Sequence, residues 1–222
     1  LDVSNNTAII ELYCNGNQLI HLNMKNGVTD QLTTFRATGN YDLTCIEVNA
    51  EDIDYATQNW TYANENIDEG VEFSVVCAPE GYTYVPDDNF EQALIDLGYD
   101  DVLNDFVLTE NISGVTSVFI GWNGGVADLT GIEDFTALTS LSCSYNELTS
   151  LDVSANTALI SLNCDNNQLT SLDLSSNTAL TTLWCQYNQL TTLDVNNDTA
   201  LTGLYCYGNE LTSLDVSSNN AL

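Results

Sequence analysis

Basic side chains are nearly missing from this chain of 222 residues: Lys25 and Arg36 stand against 32 acids, for a net charge of −30. A surface of that sign repels phosphate, so nucleic acid and anionic membrane surfaces are poor partners. Histidine is scarcer still. The only one, His21, lies between Ile20 and Leu22 at an outward position and reads as a solvated residue. Everything after it therefore lacks the base of a Ser-His-Asp or Cys-His arrangement. No apolar run approaches the ~20 residues of a membrane helix. The Gly124–Gly125 pair has no following Lys, so there is no phosphate loop. No stretch meets the calcium-loop pattern D-x-[DN]-x-[DN]-G, and carboxylate pairs are too plentiful to single any out. These absences predict no catalytic residues and no enzyme. A leader peptide is missing too, but the chain opens at "LDVSNNTAI" and stops at "LDVSSNNAL", both inside one phrase. It reads as part of a longer protein, with any targeting segment outside it. The hydrophobic share, 44%, is enough to bury a core.

What is abundant is repetition. The C-terminal half follows L-x-x-L-x-C-x-x-N-x-L-T-x-L-D-V-S-x-N-T-A, in copies that start at Leu138, Leu159, Leu180 and Leu201. Cys143, Cys164, Cys185 and Cys206 share one column at a 21-residue step, and Asn146, Asn167, Asn188 and Asn209 share another. The first half of the phrase is the leucine-rich-repeat signature, with Cys in place of its third Leu. Such repeats stack as coils of a solenoid. The triplets Leu183-Trp184-Cys185 and Leu193-Asp194-Val195 alternate as strands do. The expected fold is thus a mostly β solenoid with two short parallel strands per coil.

Cysteine in this setting packs as a small buried hydrophobe. Coils ~4.8 Å apart turn the column into a ladder of thiols. In-register Cβ atoms stay wider than the ~3.8 Å of a disulfide, and a straight row cannot converge tetrahedrally on zinc. The Asn amides are expected to bond the backbone at the turn leaving the strand.

The nested half-repeat resembles a subclass of bacterial leucine-rich repeats called the IRREKO type, and the wording "NQLTSLDVSxNTALTxLxC" resembles surface proteins of Bacteroidota. The resemblance covers residues 1–24 and about 112–222, and "VADLTGIEDFTAL" resembles internalin-type repeats. It implies an extracytoplasmic location, secreted or at the cell surface.

The repeat breaks in the middle. Residues 1–44 read as the end of a first array. Residues 45–80 read as its closing cap and linker, bracketed by Cys45 and Cys77, the only cysteine pair outside a ladder. The segment resembles the closing cap of such arrays, and Trp60 and Phe73 support that reading. A Cys45–Cys77 disulfide is expected, worth ~3–4 kcal/mol through loop closure. Residues 81–111 read as a small helical opening cap: Asp88 and Glu91 have capping-box spacing, Phe90, Ala93, Leu94 and Leu97 form an apolar face, and Gly98 stands at the stop. Residues 112–222 are the second array, cut short.

Two exposed columns remain as candidates. Asp152, Asp173, Asp194 and Asp215 face outward along one side. They read as a solvated face that blocks sheet aggregation, with calcium as a weaker alternative. Apart from that calcium, no cofactor is expected. Beside the thiols, Trp184 and Tyr205 point outward, with Tyr207, Tyr187 and Tyr145 on the same surface and Tyr13 equivalent in the first array. Ser144, Asp165 and Gln186 are expected to be exposed in the column of Tyr207. Exposed aromatics at such density mark a binding surface for a protein or glycan. The rival roles are a passive stalk and the accessory domain of a secreted enzyme.

Overall fold

The computed structural model describes residues 1–121 and 125–222. It divides into two compact units, Leu1–Cys77 and Ala78–Leu222.

In the first unit, strands on one side of the coils are β1 (Glu11–Tyr13) and β3 (Thr34–Arg36), paired in parallel. The return side carries β2 (Leu22–Asn23), β4 (Cys45–Glu47) and β5 (Glu72–Ser74), also parallel, with Asp2 bridged to Asn23. Apolar side chains alternate inward along these segments because strand residues point alternately to opposite faces. Leu12, Leu22, Phe35 and Ile46 belong to the resulting core. Helix α1 (Ile53–Asn59) and the loop after it close the last coil. Trp60 is buried there, with ring centroids 4.3 Å from Phe35 and 5.9 Å from Phe73. The open edge of β3 is covered as well: the Asn66 amide donates to Phe35 C=O at 2.8 Å, and Asn66 C=O accepts from Ala37 N–H at 2.7 Å. Asp68 then accepts from the N–H groups of Gly39 and Asn40. An uncovered edge would offer those groups to another chain. Cys45 and Cys77 are joined, with Cα atoms 5.7 Å apart.

The second unit opens with a hairpin of β6 (Tyr82–Tyr84) and β7 (Phe106–Leu108) around α2 (Asp88–Asp96), then the short α3 (Thr109–Ile112). The five-stranded parallel sheet follows: β8 (Ser117–Phe119), β9 (Ser140–Ser142), β10 (Ser161–Asn163), β11 (Thr182–Trp184) and β12 (Gly203–Tyr205). Helix α2 buries Phe90, Ala93 and Leu94 in the same core as the leucine ladder. It ends in a Schellman motif: Gly98, at φ +81, donates to Ile95 C=O, and Tyr99 N–H reaches Leu94 C=O.

Three expectations need correcting. The N-cap of α2 is Asp87, not Asp88; its carboxylate takes the N–H groups of Asn89 and Phe90, and also those of Ala127 and Asp128. Glu91 does not reach back to the cap but turns inward to the N–H groups of Asn104 and Phe106. Leu97, past the helix end, is exposed rather than part of the face.

A further correction concerns the return side of the second array, where residues 151–153, 172–174, 193–195 and 214–216 form no strand. The Leu-Asp-Val alternation survives as buried, exposed, buried in the first three of these. What is missing is the ladder. The Asp carboxylates bond the N–H two residues on, and turns such as Asn156 N–H to Val153 C=O use more main-chain donors locally. The coils are tied instead by side chains. Asn156 donates to Ile132 and Phe135 C=O, Asn177 to Val153 and Asn156 C=O, and Asn219 to Val195 and Asp198 C=O, at 2.8–3.2 Å.

Candidate functional site

The strand face of the second array rests on two internal ladders. Cys143, Cys164 and Cys185 are fully buried, and Cys206 in the last coil is partly so. The Cys143 thiol donates to Asn163 C=O of the next coil at 3.5 Å. Burial pushes the Cys143 and Cys185 thiols up to about 12, and Cys164 well above its ordinary value. They stay protonated at neutral pH, which makes them poor nucleophiles.

The Asn column holds consecutive coils in register. Asn167 donates to Cys143 C=O and Cys164 C=O at 3.0 and 3.1 Å and accepts from Leu148 N–H at 3.0 Å. Asn188 repeats this with Cys164, Cys185 and Leu169, and Asn209 with Cys185, Cys206 and Leu190. Asn146 does the same one coil earlier with Ile120, Cys143 and Val126. In the first unit Asn40 binds Cys14, Ala37 and Leu19 in the same way. These bonds fix the backbone from which the outward side chains project.

On that backbone the aromatic residues gather into two ring pairs. Trp184 and Tyr205, in register on β11 and β12, stack with centroids 5.6 Å apart and planes 8° from parallel. Tyr187 meets Tyr207 edge-on, 5.2 Å apart at 83°. Tyr205, Tyr187 and Tyr207 are each about half exposed, at 45%, 53% and 57%. Tyr145 is exposed two coils away, separated from Tyr187 by Asn166 in its column.

Sequence reasoning missed Phe119, which is 56% exposed and stands opposite Ser142 in the column of Trp184. An alignment of the irregular first coil on its Val118-Phe119-Ile120 triplet carries that signal. The expectation that Ser144, Asp165 and Gln186 are exposed beside Tyr207 is corrected: all three are buried, because the chain bends inward after each Cys.

Backbone conformation singles out one more column. Tyr145, Asn166 and Tyr187 have φ of 57°, 53° and 55°, and Gly208 continues them at 69°. Gly16 and Gly39 fill the same place in the first unit, at 67° and 74°. This left-handed conformation suits Gly and Asn and costs a bulky residue roughly 1–2 kcal/mol. Tyr187 also covers Gly208, where an added Cβ would lie 2.7 Å from its ring.

The other candidates do not converge. Ser154, Ser175 and Ser217 each bond the aspartate two residues before, which holds the Asp152, Asp173 and Asp215 carboxyls below their ordinary value. Asp194 takes the N–H of Asn196. His21 is half exposed, 3.3 Å from a Glu47 oxygen that Lys25 also approaches through its partner oxygen at 3.8 Å. Gly124 lies outside the described residues. Among the described residues no helix is long and apolar enough to cross a membrane.

No protein-family model matches the chain. A curated relative, internalin J of Listeria monocytogenes serotype 4b, is 39% identical over 74 residues, 33% of this chain and 8% of the relative. A solved structure described as the functional domain of InlJ from Listeria monocytogenes, including a cysteine ladder, is 40% identical with a TM-score of 0.59. The chain is a leucine-rich repeat protein related to the Listeria internalins. The solved match covers 64% of this chain and 32% of the InlJ chain, so the chain spans only a minor part of either relative. A second Listeria internalin, InlF, aligns over the whole chain at 18% identity and a TM-score of 0.48.

Proposed function

We propose that this chain is an extracytoplasmic binding module, not an enzyme. The second array presents the strand face around Trp184, Tyr187, Tyr205 and Tyr207, with Tyr145 and Phe119 beyond, to a protein or glycan. The observation that carries this reading is the column of left-handed residues. Tyr145 and Tyr187 hold a conformation that other coils give to Gly or Asn, so packing alone does not call for a ring there. Retained strain of this kind is a mark of function. The column of Trp184 and Tyr205 holds Ser142 and Asn163 in other coils, so the fold accepts small polar residues at those ring positions. Trp and Tyr on a rigid sheet offer large contact area at little entropic cost. The Cys45–Cys77 bond supports an oxidising compartment, and the net charge of −30 favours cationic partners.

The test is the full chain probed on glycan and protein arrays, followed by Trp184→Asn against any ligand captured. A binding anchor predicts a loss of ~2 kcal/mol or more, about thirtyfold. Stability should fall by no more than about 1 kcal/mol, the worth of an aromatic pair. A passive stalk predicts no ligand at all. Unchanged affinity for a ligand that contacts this array would retire the face as its site.

A further inference from the structure

One cluster outside the aromatic face has the composition of an ion site. Carboxylate oxygens of Asp88, Glu91 and Asp105 lie within 4.8 Å of one another, where α2 meets the turn into β7. Acidic groups alone decide nothing, since they are everywhere on this surface. Glu91 differs from the rest: the residue is fully buried, its Oε1 accepts from Asn104 and Phe106 N–H, and its Oε2 is buried with no hydrogen-bond partner. The two N–H bonds pin the carboxylate, which fixes where that second oxygen sits. A buried acceptor left bare is costly. The whole second unit contains no Lys, Arg or His, so it holds no side-chain cation to answer it.

We propose that Asp88, Glu91 and Asp105 bind one calcium ion that ties α2 to the 98–105 loop in the opening cap. The donor set is all oxygen, as hard divalent cations require. Calcium–oxygen distances of 2.3–2.6 Å let ligands on opposite sides of the ion stand about 5 Å apart, which the present separations satisfy. Magnesium demands strict octahedral geometry at about 2.0–2.1 Å and gives up its water reluctantly, so a set of three protein carboxylates suits it less. Asp88 and Asp105 are exposed, so water completes the coordination and the ion can enter from solvent. The site is separate from the outer Asp column.

Calorimetric titration of the full chain with calcium chloride, and in parallel with magnesium chloride, in about 150 mM sodium chloride tests this; that salt screens diffuse attraction to the acidic surface. One calcium per chain is expected with Kd in the ~10⁻⁴–10⁻³ M range of extracellular sites, together with weaker magnesium uptake. Glu91→Gln risks the fold because Oε1 holds two main-chain groups, so the decisive variants are Asp88→Asn and Asp105→Asn. Each should weaken calcium at least tenfold and remove the calcium-dependent rise in melting temperature. Asp152→Asn combined with Asp173→Asn should leave both intact. No saturable uptake by about 10 mM calcium overturns the proposal. So does uptake that survives Asp88→Asn and Asp105→Asn.

Discussion

On the return side of its coils, the Leu1–Cys77 unit runs main-chain hydrogen bonds from turn to turn, Met24 N–H to Glu47 C=O at 2.7 Å and Val48 N–H to Ser74 C=O at 2.9 Å. In the Ala78–Leu222 unit the same junction is crossed by the side-chain amides of Asn156, Asn177 and Asn219. A main-chain ladder accepts almost any residue. An amide bridge needs a donor in every coil, and one coil lacks it. Asp198 occupies the bridge position, buried, with both carboxylate oxygens unpartnered. By register it faces the carbonyls of Leu174 and Asn177, and an ionised carboxylate can donate to neither. The first unit also holds all three basic side chains, Lys25, Arg36 and His21, while the second holds none. Uniform repeats therefore leave the second unit more exposed to a single chemical change than the irregular first one.

The largest effect should come from the staple that only the first unit has. Cys45→Ser with Cys77→Ser opens a loop of sequence separation 32 and should cost the first unit ~3–4 kcal/mol. Hydrogen exchange followed by peptide should show the loss in residues 1–77 and leave 78–222 unchanged. Equal loss in both units would break the comparison.

Asp198 gives the next effect, with a definite sign. Burial, with Asp194 adding to it, raises its carboxyl from 3.8 to about 6. The neighbouring coils offer only Asp173 and Asp215, both turned outward, so no cation offsets the charge. An acid raised on folding contributes stability in full below about 3.8 that is lost as pH rises through about 6. Holding that charge buried at neutral pH costs on the order of a few kcal/mol. Asp198→Asn restores the bridging donor, so it should stabilise the second unit by about that much at pH 7 and by little below pH 4. Urea unfolding of both proteins across pH 3.5–7.5 measures the difference. Parallel curves at all pH values would contradict the defect.

Asn177→Ala should cost about 2 kcal/mol, since it strips donors from the carbonyls of Val153 and Asn156. A loss under about 0.5 kcal/mol would mean that the amide bridge does not hold the coils together. Smallest in energy is thiol access: Cys164 should label slowly in the native state, and Cys206, in a partly open coil, first. Fast native labelling of Cys164 would undo the buried ladder.

The 21-residue period made the strand side legible, because Cys and Asn columns at a fixed step demand stacked coils. The return side was not legible in the same way. Leu-Asp-Val alternation says which side chains face inward, not whether neighbouring backbones come within bonding distance, and local Asx turns decided that. The cap of α2 slipped by one residue because Asp87 and Asp88 both suit it; the choice is made by Ala127 and Asp128, forty residues away in sequence and beside it in space. Phe119 was hidden by an irregular coil, 23 residues before Ser142 rather than 21. The burial of Glu91 had no sequence signal, since a helix-face Glu between Phe90 and Gln92 ordinarily reads as solvated.

The binding reading turns on the same contrast between units. Tyr13 stands alone on the first unit's strand face, in register with Arg36, whereas Trp184 is stacked on Tyr205 beside a second ring pair. The most direct measurement is therefore a three-way affinity comparison, of the full chain, Trp184→Asn and Tyr13→Asn, for a ligand recovered from the arrays. A loss of about thirtyfold for Trp184→Asn with no change for Tyr13→Asn is the predicted result. Equal affinities for all three, or a loss confined to Tyr13→Asn, would contradict it.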